Sequence, residues 1–234
     1  MRLLKEITAA FRDFLFPHSC LVCDKETTDG FLCNNCYEYL PLVNSPVCRF
    51  CGRPVKKTRT CFFCKEEKYV SHGRAWMLFI PPVDNVIHHF KYRKKTDLAT
   101  MLGRGMANII LADHQLKKAE KIIPVPLFWT KFLKRGYNQA ALLAKTISRE
   151  CDMEYADILK RIKDTKTQTR LSTEARRKNV YGAFMLKSGE VEGKNVLLID
   201  DVMTTGATIN ECARVLKQAG AKEVYSCVAA ITPE

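Results

Sequence analysis

The sequence predicts an α/β protein: a mostly parallel sheet with helices on both faces, preceded by a small cysteine-rich metal-binding module. Three observations carry this. Eight of the eleven cysteines fall in the first 64 residues as four C-x-x-C pairs. In the second half, short apolar runs alternate with amphipathic stretches, the rhythm of strands joined by helical crossovers. One of those runs, "VLLI" at 196–199, leads directly into Asp200-Asp201 and the hydroxyl-rich Thr204-Thr205-Gly206-Ala207-Thr208.

Taken in chain order, residues 3–15 place Leu4, Ile7, Phe11, Phe14 and Leu15 along one side of a helix, and Pro17 stops it. The polar side mixes signs (Lys5, Glu6, Arg12, Asp13), which suits docking on the main domain or a partner better than lying on a membrane. Next come the cysteines. A shift of 28 residues carries Cys20/Cys23 and Cys33/Cys36 onto Cys48/Cys51 and Cys61/Cys64, so the module is a duplicated C-x2-C-x9-C-x2-C unit. A C-x-x-C knuckle places two sulfurs on one side of a tight turn, and two knuckles complete a tetrahedral zinc site. The simplest assignment puts Cys20, Cys23, Cys33 and Cys36 on one ion and Cys48, Cys51, Cys61 and Cys64 on the other, with interleaved pairing as the alternative. Four thiolates leave no open position, so both sites are expected to be structural, and metal binding supplies folding energy to units with almost no core. Cys151, Cys212 and Cys227 have no ligand spacing and are expected in apolar surroundings.

The second unit carries Arg49, Arg53, Lys56, Lys57 and Arg59 near Phe50, Phe62 and Phe63. Two readings stand side by side: charge and stacking for single-stranded nucleic acid, or a solvated face over a tiny aromatic core. Beyond it, "GRAWMLFI" (73–80) reads as a strand broken by Pro81-Pro82. The following stretch to Asp113 is mostly helical, with a basic cluster at Lys91, Arg93, Lys94 and Lys95. His88 and His89 are neighbours on a helix and point apart, so they do not share a metal. Residues 122–125 form a strand and 140–151 a helix. Residues 160–182 are too charged for a core and form a mobile loop. Then follow a strand at 196–199, a helix over 208–220 ended by Gly220, and a strand at 224–230.

Bulk properties narrow the classes. The 234 residues allow one sizeable core plus a small module. No apolar run is long enough to span a membrane and no continuous apolar leader is present, so the expected location is the cytoplasm. The formal charge of +13 falls to about +9 once two four-cysteine zinc sites are counted, still suited to nucleic acid or a polyphosphate.

In a parallel α/β sheet ligands sit beyond the carboxyl ends of the strands. There, the amides of a helix N-terminus with the hydroxyls of Thr204, Thr205 and Thr208 suit a phosphate. Gly206 allows close approach, and Asp200 and Asp201 can accept from vicinal hydroxyls. Phosphate and diol together describe a ribose 5-phosphate.

Residues 196–208 closely resemble the phosphoribosyl pyrophosphate (PRPP) motif of type I phosphoribosyltransferases. With "KRGYNQ" (134–139), "FKYR" (90–93), the 160–184 stretch and the cysteine-rich front, the chain resembles the ComF family of competence-associated, phosphoribosyltransferase-like proteins. Tyr137 stands where phenylalanine is more usual. The resemblance implies a type I phosphoribosyltransferase-like fold behind a double zinc ribbon, divided as helix 1–17, ribbon 18–68 and transferase-like domain 69–234. It implies that Asp200 and Asp201 bind the ribose hydroxyls, that Thr204, Thr205, Gly206, Ala207 and Thr208 cradle the 5-phosphate, and that Arg135 and Gly136 belong to the pyrophosphate region. Residues 160–179 would close over the site, with Arg161, Lys163, Arg170 and Arg176 contacting pyrophosphate. Asp200, Asp201, Arg161 and Arg176 are thus the candidate catalytic residues, with magnesium carried by the PRPP.

Two functions follow: PRPP-dependent transfer to an acceptor the sequence does not name, or a non-catalytic adaptor of DNA uptake. The resemblance also implies partners in natural transformation, namely single-stranded DNA and a competence helicase or other uptake proteins, met in the cytoplasm or peripherally at the inner face of the membrane.

Overall fold

The structure is a computed structural model describing residues 18–27, 31–56, 60–65, 68–164, 178–187 and 190–234. The expected helix at 3–15 lies outside these residues.

Five strands form the central sheet in the order β3 (His72–Leu78), β9 (Glu223–Ile231), β8 (Asn195–Met203), β4 (Lys121–Pro124), β5 (Glu154–Tyr155), all parallel. The alternation along β8 decides the layers. Val196 and Leu198 pack with Ile209, Cys212, Ala213 and Leu216 of helix α6 (Ala207–Gln218). Leu197 and Ile199 face the opposite cluster, with Leu102 and Met106 of α3 (Leu98–Ala112) and Leu143 and Ile147 of α5 (Gln139–Cys151). A strand covered on both faces reads as a continuous apolar run, which is why "VLLI" carries no alternation in sequence. Cys212 and Cys227 are buried as expected, and Cys151 is half-buried.

The expected helical stretch before Asp113 is two helices, α2 (Val83–Tyr92) and α3, separated at residues 93–97, where Lys94 adopts a left-handed conformation (φ 54°). The strand expected to stop at Ile199 runs on to Met203, so both acids lie within it. Its ladder with β9 continues past the apolar run, pairing Asp200 with Val228 and Val202 with Ala230. Of the expected 160–182 loop, Lys160 and Arg161 belong to β6 (Leu159–Arg161), which pairs antiparallel with β7 (Phe184–Leu186).

The ribbons wrap the outer edge of β3. In the first, β1 (His18–Ser19) pairs with β2 (Glu26–Thr27) ahead of the short helix α1 (Asn34–Glu38). Its Cys20 and Cys36 pack in the cluster that holds Trp76, Met77 and Val83. The cysteines of the second join the α6 face. Between the units, the N–H of Val43 donates to the Trp76 carbonyl (2.9 Å), and that of Leu78 to the Pro41 carbonyl (2.8 Å). These bonds cover an edge that would otherwise present unpaired backbone. Gly52 is required at this seam: its φ is +77°, and a Cβ there would stand 2.6 Å from Arg74 Cα.

Candidate functional site

The acids of β8 open on a cavity of about 180 Å³, lined among others by Lys91, Lys131, Arg135, Gln139, Arg161 and Thr208. The Asp201 N–H donates to Asp200 Oδ1 at 2.8 Å, and Lys91 Nζ pairs with Asp201 Oδ1 at 2.9 Å. Burial, then the neighbouring Asp201 charge, pushes the Asp200 carboxyl up to about 7, against the pull of Lys91 and Arg161. The opposite wall is cationic. Lys131 is held below the usual ammonium range by burial and then by Arg161, Arg135 and Lys91, with Asp164 acting the other way. Cations crowded enough to disfavour each other's charge are a ready anion site.

The frame around this wall comes from two segments far apart in sequence. Tyr137 Oη donates to the Phe90 carbonyl. Arg135 donates to Tyr92 Oη (3.2 Å) and to Gln139 Oε1 (2.9 Å), with its guanidinium 5.0 Å from the Tyr92 ring centre. Asn138 Oδ1 caps α5 by accepting the Ala140 N–H at 3.1 Å, while its Nδ2 donates to the Val125 carbonyl. So "KRGYNQ" is bolted to "FKYR", which brings Lys91 to the acids. The sequence places Lys91 in a basic cluster and in "FKYR" without a role; its ion pair with Asp201 becomes visible when α2 crosses the sheet end. Gln139, 2% exposed, lines the cavity, and among the described residues its Nε2 has no hydrogen-bond partner. In the sequence it stands within "KRGYNQ" with no role assigned to it.

The other sequence-derived residues are placed as follows. Thr204, Thr205 and Gly206 connect β8 to α6, and Ala207 and Thr208 form that helix's first turn. Thr208 lines the acid cavity, whereas Thr205 and Gly206 border a cleft of about 20 Å³ shared with Cys51 and Cys64. Gly136 ends the short helix α4 (Trp129–Arg135) in the left-handed region and lines an adjoining cleft of about 660 Å³ with Arg161 and Lys160. The Arg161 guanidinium lies 5.3 Å from the Phe184 ring centre. Lys163 donates to the Tyr181 carbonyl at 3.3 Å. Arg170 and Arg176 lie outside the described residues.

The cysteines separate without interleaving: in each group, Cys20, Cys23, Cys33, Cys36 and Cys48, Cys51, Cys61, Cys64, the sulfurs all lie within 4.8 Å of one another. The spacings of 3.7 Å (Cys23–Cys33) and 3.6 Å (Cys51–Cys61) match the edge of a tetrahedron with Zn–S near ~2.3 Å, about 3.8 Å. Both clusters therefore fit structural zinc. Among the described residues the acid pair belongs to no comparable ligand cluster. Magnesium at the acids would depend on oxygens brought by a ligand.

The basic ribbon face needs one correction. Arg53 is fully buried, and Phe50 and Phe63 pack against the core, whereas Arg49 and Phe62 remain exposed. Lys57 and Arg59 lie outside the described residues. Among the described residues no helix is long and apolar enough to cross a membrane.

A parallel sheet with acids at the end of a central strand, a Thr-Thr-Gly-Ala-Thr turn into a helix and a cationic wall defines a phosphoribosyltransferase-type fold. The phosphoribosyl transferase domain family matches residues 133–234, and the double zinc ribbon domain family matches residues 11–65. The chain is 34% identical over 217 residues to competence protein F of Haemophilus influenzae, covering 83% of this chain and 94% of that one. It is 31% identical over 210 residues to DNA utilization protein YhgH of Escherichia coli K12 (88% and 86% covered). It is also 31% identical over 202 residues to competence protein ComFC of Streptococcus pneumoniae (84% and 86% covered). The chain belongs to this ComF family of competence and DNA utilization proteins.

Proposed function

We propose that the protein binds PRPP with magnesium at the carboxyl end of β8 and works in DNA uptake in the cytoplasm. The observation that carries this is the meeting of Asp200 and Asp201 with Lys91, Lys131, Arg135 and Arg161 around one cavity. The acids accept from the ribose hydroxyls, the turn at 204–208 takes the 5-phosphate, and the cations take the pyrophosphate. Magnesium supplies charge neutralisation on the ligand's own oxygens. In a transfer step the bond from ribose C1 to the pyrophosphate oxygen breaks, the electron pair leaves with pyrophosphate, and a nucleophile adds at C1. Cations already oriented toward the leaving group need no reorganisation as its charge grows. Isothermal calorimetry with PRPP and magnesium tests the reading. Heat is expected with the wild type, and affinity should drop roughly 100-fold or more in Asp200→Asn/Asp201→Asn, since each charged hydrogen-bond acceptor contributes about 1.5–3 kcal/mol. A wild type that takes up no PRPP refutes it.

A second reading, an adaptor that holds single-stranded DNA for a competence helicase, draws on α4. Trp129 (62% exposed), Phe132 and Leu133 (70%) stand beside Lys134 on a helix with no buried residue. Aromatic faces with neighbouring cations suit base stacking and phosphate contact. Anisotropy with a single-stranded oligonucleotide should show binding that weakens steeply from about 50 to 200 mM salt, and Trp129→Ala should weaken it about 10-fold. No binding at low salt removes this reading.

A further inference from the structure

Arg53 lies in the second ribbon, between Gly52 and Pro54, and is 0% exposed. Its Nη2 donates to the carbonyl of Thr204. Its Nη1 donates to the carbonyl of Thr232, to Thr232 Oγ1 at 3.0 Å and to the carbonyl of Pro233 at 3.2 Å. The guanidinium carbon sits 4.4 Å from the Phe63 ring centre. Thr232 extends the same network: its N–H donates to the Met203 carbonyl at 3.1 Å. Burying a guanidinium is costly unless its donors are met; here Nη2 is met by the Thr204 carbonyl at the start of the turn and Nη1 by Thr232 and Pro233, while among the described residues Nε has no partner.

That turn has little of its own to hold it. Gly206, the N-cap of α6, sits at φ 78° with no side-chain cap, and the nearest substitute is a 3.5 Å contact from the Ala207 N–H to Thr205 Oγ1. Among the described residues, the N–H groups of Thr204, Thr205 and Gly206 have no backbone acceptor. A trans peptide is planar, so its carbonyl and the following N–H point in opposite directions. Holding the Thr204 carbonyl toward Arg53 therefore turns the Thr205 N–H away from the ribbon. Cys51 and Cys64 of the same ribbon line one small cleft with Thr205 and Gly206.

We infer that Arg53 is a positioning residue for the turn at 204–208, and that the second zinc ribbon is a structural part of that turn rather than a separate appendage. The consequence for ligand binding rests on the reading that the turn takes a phosphate. The ribbon then presets the orientation of the amides that meet the anion. An unfolded ribbon would leave the acids and cations of the cavity in place but release the turn.

The test compares full-length wild type, Arg53→Met, Arg53→Lys and the exposed-site control Arg49→Met. Three quantities are read: zinc content, hydrogen–deuterium exchange at the Asn210 and Thr232 amides, which donate to the carbonyls of Gly206 and Met203, and calorimetric affinity for PRPP with magnesium. Arg53→Met should keep both zinc ions, exchange faster at those two amides and bind PRPP at least 10-fold more weakly. Arg53→Lys, which keeps a cation and fewer donors, should fall between. Arg49→Met should change none of the three. Exchange unchanged at the Asn210 and Thr232 amides in zinc-loaded Arg53→Met overturns the inference. So does faster exchange spread evenly over the chain in both Arg53 variants. If the wild type binds no PRPP, the functional reading fails, and the exchange comparison still decides the role of Arg53.

Discussion

Replacing Asp200 by asparagine should stabilise the ligand-free protein, and increasingly so as pH rises. The carboxyl is raised from an ordinary 3.8 to about 7 by burial and then by Asp201. A group raised on folding contributes stability that is fully present below about pH 4 and lost as pH climbs through about 7. Roughly three pKa units at about 1.4 kcal/mol each set a ceiling near 4 kcal/mol. About half of that loss falls between pH 5.5 and 8, the range in which thiolate–zinc sites persist. With an unfolding entropy of about 2 cal/mol/K per residue, 234 residues give roughly 0.5 kcal/mol/K. The Tm advantage of Asp200→Asn should therefore widen by about 4 °C between pH 5.5 and 8. Asparagine retains the Oδ1 that accepts the Asp201 N–H, so the comparison isolates the charge. Differential scanning fluorimetry of both proteins across that range reads it, and taking the difference cancels every other titrating group. Parallel curves would refute the assignment of a strained, protonated acid at this position.

Three more expectations follow from the same geometry. PRPP with magnesium favours the Asp200 carboxylate, so binding near pH 7 should release protons. Calorimetry in two buffers of different ionisation enthalpy should then give different apparent heats, and identical heats would count against it. Lys91→Met removes the cation paired with Asp201 and one wall of the anion site, so PRPP affinity should fall about 10-fold or more while zinc content stays the same. Gly52→Ala forces a left-handed alanine against the Arg74 backbone. Together, strain and overpacking should cost about 2–4 kcal/mol, read as a lower denaturation midpoint with faster exchange along residues 72–78.

The chain's one-dimensional patterns were enough to determine its periodic and covalent features. The 28-residue repeat of knuckles implies two four-cysteine clusters because ligand spacing is a local property of the turn. The apolar run at 196–199 and the helix at 208–220 mark the strand–turn–helix because burial on both faces, or on one stripe, leaves its period in the residues themselves. What only the tertiary structure decided is which distant groups meet. Lys91 reaches Asp201 because α2 crosses the sheet end, and Arg135 and Tyr137 join it because α4 and the turn after it are tied to "FKYR". Arg53 illustrates the difference most sharply. On composition it belongs to a basic, solvent-facing ribbon, yet it is buried against a turn 151 residues away. A charge's role depends on the groups that surround it after folding, and sequence spacing does not encode those groups.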